Sequence, residues 1–125
     1  MNKFKDDFIF GTATASYQIE GGASEGGKMP SIWDTFSKKE GNVFMGHTGD
    51  IACDHYHRIK EDVKILENIG VDSYRFSISW PRIFPCKDKI NPEGIKFYKN
   101  LIQELKDKNI TPTITRSEEH TSELQ

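Results

Sequence analysis

Asp54-His55-Tyr56-His57-Arg58-Ile59-Lys60-Glu61-Asp62-Val63-Lys64-Ile65-Leu66-Glu67-Asn68-Ile69-Gly70, running through Val71-Asp72 into Ser73-Tyr74-Arg75-Phe76-Ser77-Ile78-Ser79-Trp80-Pro81, contains a helix and the strand that follows it. Tyr56, Ile59, Val63, Leu66 and Ile69 recur at steps of three and four, the spacing that collects side chains on one face of an α-helix. Asp54 stands where an N-cap belongs, and Gly70 where a left-handed C-terminal cap belongs. The next eight residues, 73–80, are rich in aromatic and β-branched types and predict a strand that Pro81 ends.

Working outward, the same alternation repeats on both sides. Residues 8–16 (Phe-Ile-Phe-Gly-Thr-Ala-Thr-Ala-Ser) read as a buried strand. A Gly-rich stretch, residues 21–50, reads as one long loop, and loops of that length in a compact domain tend to be functional. Downstream, Asn91-Pro92-Glu93 predicts a helix start: a capping amide, Pro at the first helical position and an acid at the positive end of the dipole. Ile95, Tyr98, Leu101, Ile102 and Leu105 form that helix's apolar face, and Thr111-Pro112-Thr113-Ile114-Thr115 opens a third strand. Strand, helix, strand, helix, strand is the order of right-handed βαβ units and a parallel sheet. Three such strands leave two unpaired edges and cannot close on themselves.

Bulk properties exclude several classes. A net charge of −2 gives no electrostatic case for nucleic acid or an acidic membrane surface. The apolar runs are only a few residues long, so none spans a bilayer. Met1-Asn2-Lys3-Phe4-Lys5-Asp6-Asp7 lacks the apolar core of a secretory signal, and the expectation is a cytoplasmic protein. Cys53 and Cys86 form neither a C-x-x-C pair nor a disulfide framework and read as reduced thiols.

After Thr115 the strand pattern breaks. Residues 116–125, Arg-Ser-Glu-Glu-His-Thr-Ser-Glu-Leu-Gln, have one apolar residue and no alternation. They coincide, residue by residue, with the in-frame translation of the sequencing-library adapter AGATCGGAAGAGCACACGTCTGAACTCCAG. The expectation is therefore two segments: residues 1–115 as native sequence and residues 116–125 as a non-native, adapter-derived tail.

Four blocks resemble family 1 glycoside hydrolases, and β-glucosidases in particular. They are Phe10-Gly11-Thr12-Ala13-Thr14-Ala15-Ser16-Tyr17-Gln18-Ile19-Glu20-Gly21, Pro30-Ser31-Ile32-Trp33-Asp34, Asp50-Ile51-Ala52-Cys53-Asp54-His55-Tyr56-His57-Arg58 and Tyr74-Arg75-Phe76-Ser77-Ile78-Ser79-Trp80-Pro81-Arg82. They come in the right order with ordinary spacing, and the resemblance covers residues 4–115. It implies an α/β fold made of the first three βα units of a (β/α)8 TIM barrel, truncated, with its site at the C-terminal ends of the strands. It implies a retaining glycosidase that acts on small-molecule β-glucosides or oligosaccharides without metal or organic cofactor. The family's acid/base and nucleophile are glutamates at the ends of strands four and seven. No catalytic residue is therefore assigned to this chain, which the resemblance makes inactive by itself. Met29 stands where relatives have Gly, and Arg116 stands where the family continues Leu-Tyr-His-Trp.

Two side chains carry over to the sugar site. The Gln18 amide offers both a donor and an acceptor, which suits two neighbouring hydroxyls. From sequence alone it reads as a polar loop-edge residue; the resemblance makes it a glucose-hydroxyl ligand. Arg75 interrupts an apolar strand, and burial there predicts a salt bridge. The resemblance places it beside the nucleophile, where a cation keeps a carboxylate ionised. With that partner missing, Arg75 is expected to face a solvent-filled gap. Trp33 and Trp80 are expected to pack in the core. Glu20 is expected to make a local hydrogen bond in its loop rather than to act as the catalytic acid. His55 and His57, with Asp54 nearby, invite a metal, but residues two apart on a helix point to nearly opposite sides and cannot share an ion; the Gly pairs at 21–22 and 26–27 fit no phosphate loop.

Two other functions compete. A 6-phospho-β-glycosidase of the same family favours different residues around the first two strands. A non-catalytic sugar-binding or interaction module ending naturally here predicts a cooperative thermal transition, where a barrel fragment predicts a molten or aggregating chain.

Overall fold

A computed structural model describes residues 3–116. Three parallel strands, β1 (Gly11–Ala13), β2 (Ser73–Ile78) and β3 (Thr111–Arg116), form one sheet in the order β1-β2-β3. The helices between them are α1 (Ser16–Ile19), α2 (Ile32–Lys38), α3 (Ile59–Ile69), α4 (Trp80–Ile83) and α5 (Pro92–Asp107), with 3₁₀ turns at Phe44–Gly46 and His55–His57. The expected βαβ alternation is present.

Side chains alternate across a strand. Tyr74 and Phe76 of β2 enter the core with Val63 of α3 and with Phe97, Tyr98, Leu101 and Leu105 of α5; Ile110 completes it just before β3. Each such burial contributes about 1.5–3 kcal/mol relative to exposure. The register then puts Ala13, Arg75 and Thr113 in one row on the opposite face, with Ser73 beside Thr111 and Ser77 beside Thr115. That face is small and hydroxylated, and the Ser73 and Thr113 hydroxyls lie 3.2 Å apart across it.

Several elements differ from the sequence expectation. The first strand is three residues long and exposed rather than a nine-residue buried strand, because β1 is an edge with one neighbour. Phe4, Phe8 and Phe10 instead cluster with one another on the surface. The stretch 21–50 contains α2, whose start is a capping box: Asp34 N–H donates to the Ser31 hydroxyl while the Asp34 carboxylate accepts from Ser31 N–H. Asp54 does not cap α3. It is left-handed at φ 56°, and α3 begins after Arg58. Gly70 does end α3 in the left-handed region at φ 84°, its N–H donating to the Leu66 and Glu67 carbonyls. Ile69 is exposed, since no further layer among the described residues covers the end of α3. On α5, Phe97 joins the buried face beside the expected Tyr98, Leu101 and Leu105. β2 stops at Ile78, and Pro81 sits in the first turn of α4 rather than directly ending a strand. β3 runs one residue past the expected break, pairing Arg116 with Ile78. The rest of the adapter-like segment, 117–125, lies outside the described residues.

Candidate functional site at the C-terminal ends of the strands

The parallel strands deliver their C-terminal ends to one side of the sheet, where α1 and α4 follow directly. α1 is set on β2 by Ser16 N–H donating to the Ser77 hydroxyl at 2.8 Å. Gln18 is exposed in this short helix just beyond β1. Arg75 is level with Ala13, the last residue of β1, and is exposed on the hydroxylated face. Its carbonyl accepts from Thr14 N–H at 2.9 Å. The buried salt bridge expected from the sequence is not formed: Arg75 is exposed, and no carboxylate among the described residues pairs with its guanidinium.

Beneath Gln18 lies a buried ion pair that sequence reasoning missed. Glu20 closes α1, and its carboxylate accepts from Arg82 Nε at 3.0 Å and from the Tyr98 hydroxyl at 2.5 Å. The expected local hydrogen bond is thus a long-range one, to α4 and α5. Arg82 is 0% exposed. Its other nitrogens donate to the carbonyls of Gly21, Gly22 and Glu25, and its guanidinium lies 4.4 Å from the Tyr56 ring centroid. A buried guanidinium thereby ties the Gly-rich loop to the barrel wall. Burial pushes the Glu20 carboxyl above its usual range, and the pull of Arg82 and the Tyr98 hydrogen bond does not fully offset this. Burial likewise drives the Tyr98 hydroxyl well above the ordinary tyrosine value. The available signal was Arg82 itself, a cation set between Pro81 and Ile83 in an otherwise apolar run.

A second buried pair fixes α2. Lys28 Nζ donates to Asp34 Oδ2 at 2.8 Å. Burial raises the Asp34 carboxyl, but hydrogen bonds from Lys28 and from the Ser31 N–H and hydroxyl outweigh it and hold the group below the ordinary aspartate value. Trp33, expected in the core, is exposed on α2, because Asp34 and Ser37 take the inward face of this helix. Trp80 is half-buried against Phe84, with the Arg116 guanidinium 4.9 Å from its ring centroid.

The two histidines point apart. His55 is buried, with Nδ1 2.6 Å from Asp62 Oδ2. His57 is exposed, with Nδ1 2.6 Å from Asp54 and Nε2 2.6 Å from Glu25. Both its ring nitrogens face carboxylates, and the hydrogen bonds to Asp54 and then Glu25 raise its pKa above 6.5.

The profile of glycosyl hydrolase family 1 matches residues 1–118. The chain belongs to glycosyl hydrolase family 1. It is 59% identical over 113 residues to β-glucosidase A of Acetivibrio thermocellus, a match that covers 90% of this chain and 25% of the relative. It is also 51% identical over 113 residues to the aryl-phospho-β-D-glucosidase BglC of Bacillus subtilis, covering 90% of this chain and 24% of that protein. The chain thus spans about a quarter of the length of these curated relatives. Its fold superposes on a crystal structure of a β-glucosidase from Exiguobacterium marinum with a TM-score of 0.90 and 58% identity, over 93% of this chain and 26% of that one. The family fold is therefore represented here by the opening βα units of a (β/α)8 barrel.

Proposed function

We propose that residues 1–115 are the opening arc of a cytoplasmic retaining β-glucosidase that hydrolyses terminal β-D-glucosyl residues, and that residues 116–125 are a non-native tail. In this reading Gln18 binds a glucose hydroxyl. Arg75 supports a nucleophilic glutamate supplied by a later strand, and the acid/base comes from another. Two carboxyls about 5–5.5 Å apart give retention through a glycosyl-enzyme intermediate. The observation that carries the proposal is the pair of exposed, polar, uncommitted side chains, Gln18 and Arg75, at the C-terminal side of two adjacent parallel strands. That is where barrel enzymes of this fold place their chemistry.

The proposal makes the chain inactive on its own. The purified 125-residue protein should release no more aryl aglycone from an aryl β-glucoside than a heat-killed control, and hydrolysis above that control refutes the assignment. A coding sequence for residues 116–125 that departs from the adapter rules out the non-native tail. The uninterrupted gene should continue after Thr115 into Leu-Tyr-His-Trp, then an Asn-Glu-Pro and a Glu-Asn-Gly. A 6-phospho-β-glycosidase is the second reading, supported by the 51% identity to the aryl-phospho-β-D-glucosidase. Comparing aryl β-glucoside with its 6-phosphate on the full-length product separates the two.

A further inference from the structure

α1 is a single turn of four residues, so the position of Gln18 is set by what holds the ends of that turn. At its start, Ser16 N–H donates to the Ser77 hydroxyl at 2.8 Å. At its end, Glu20 N–H donates to the Ser16 carbonyl at 2.9 Å, and the Glu20 carbonyl accepts from Tyr56 N–H at 2.8 Å. The Glu20 side chain reaches further. One oxygen accepts from Arg82 Nε at 3.0 Å and the other from the Tyr98 hydroxyl. The same hydroxyl accepts from Ser79 N–H at 2.7 Å. Ser79 follows the last residue of β2, Ile78, and is the N-cap of α4. A single phenol oxygen on α5 therefore joins the end of α1, just past Gln18, to the end of the strand that carries Arg75.

The chemistry suits a fixed spacer. A phenol has one proton to donate. Here that proton is committed to a carboxylate and the oxygen to a backbone N–H, so the hydroxyl cannot turn without leaving a buried group unpaired. Burial, and then the Glu20 charge, push the Tyr98 hydroxyl well above the ordinary tyrosine value and keep it protonated. Glu20, Ser79 and Tyr98 are 4%, 4% and 3% exposed, and further barrel layers can only deepen that burial. We infer that Tyr98, with Glu20, is a positioning residue for glycoside hydrolysis: it holds the Gln18 amide in a fixed relation to the end of β2 and to Arg75, and touches no substrate itself. The inference rests on the reading of Gln18 given above. A buried set of carboxylate, phenol and guanidinium is a weak source of stability, since apolar residues of similar volume often do as well. What it provides is one geometry, because hydrogen bonds fix directions that apolar packing leaves free.

The test is a double-mutant cycle on the full-length product: parent, Tyr98→Phe, Gln18→Ala and the double variant. kcat and KM are measured for an aryl β-glucoside or its 6-phosphate, whichever the parent hydrolyses. Gln18→Ala should lower kcat/KM about a hundredfold or more, and Tyr98→Phe about tenfold. Added to Gln18→Ala, Tyr98→Phe should cost less than about threefold more, because the group it positions is gone. Tyr98→Phe should also divide its loss between kcat and KM as Gln18→Ala does. A loss of folded enzyme instead lowers kcat alone, by the same factor in both backgrounds, and that result overturns the positioning role. A Tyr98→Phe enzyme within about twofold of the parent overturns it as well. If Tyr98→Phe does not fold, Glu20→Gln, which keeps the side chain's size, runs through the same cycle and decides in its place. The Gln18 reading has a separate outcome. Gln18→Ala within about threefold of the parent refutes that reading and the inference with it. Equal effects of Tyr98→Phe in both backgrounds, beside a large Gln18→Ala loss, refute the inference alone.

Discussion

Replacing Arg82 by Met removes the cation that Glu20, three backbone carbonyls and two aromatic rings all face. Arg82 is fully buried and the Glu20 side chain is nearly so, so the surviving carboxylate cannot turn to water. Breaking a buried pair from one side costs about 3–5 kcal/mol. Each orphaned carbonyl adds about 1 kcal/mol. The total, roughly 6–8 kcal/mol, rivals the whole stability of an ordinary domain, about 5–15 kcal/mol. The loss should be largest where Arg82 makes its bonds. Hydrogen exchange on the full-length product should show amides of the 20–28 loop and of α4 losing protection by a hundredfold or more, since 1.4 kcal/mol is a factor of ten. The double variant Glu20→Gln with Arg82→Met removes both charges and should regain at least half of the loss. Exchange in the 20–28 loop that stays within threefold of the parent refutes the claim that Arg82 holds it. A double variant no better than the single one refutes the claim that the stranded carboxylate is the main cost.

Gly94 packs so closely on α4 that a Cβ there would collide with the Arg82 carbonyl, so Gly94→Ala should destabilise the full-length product by about 1–3 kcal/mol, read as a lower urea midpoint. Lys28→Met strands the buried Asp34 and should cost about 3 kcal/mol near neutral pH by the same assay. In the parent, the folded Asp34 carboxyl titrates below its unfolded value of 3.8; its contribution is present above that pH and disappears as pH falls through the folded value. Lys28→Met should flatten that acid limb. His57 titrates above its unfolded 6.5, so its contribution is complete below that value and fades as pH rises through the folded one. An NMR titration should place the His57 midpoint above 6.5, and Asp54→Asn should lower it; a midpoint at or below 6.5 contradicts the two-carboxylate geometry.

The periodic signals were legible without coordinates. The faces of α3 and α5, the Gly70 and Asn91 caps and the β-strand residues around Tyr74 depend on contacts within a few residues, which the local order of side chains encodes. The capping box at Ser31 and Asp34 was equally local, yet it was hidden inside a stretch read by its glycines. Gln18 and Arg75 came from the resemblance, because neither residue type nor spacing distinguishes a sugar ligand from a polar surface side chain.

By itself, then, the order of residues determined the alternation of helices and parallel strands and the family to which the chain belongs. Tertiary structure alone decided which polar groups are buried. Glu20, Arg82 and Tyr98 meet across 62 and 78 residues, and Tyr17 anchors α2. It also decided that β1 shortens to an exposed edge and that Trp33 turns outward. The reason is physical: hydrogen-bonded periodicity depends on near neighbours, whereas burial of a charge depends on which distant groups the folded chain brings within reach.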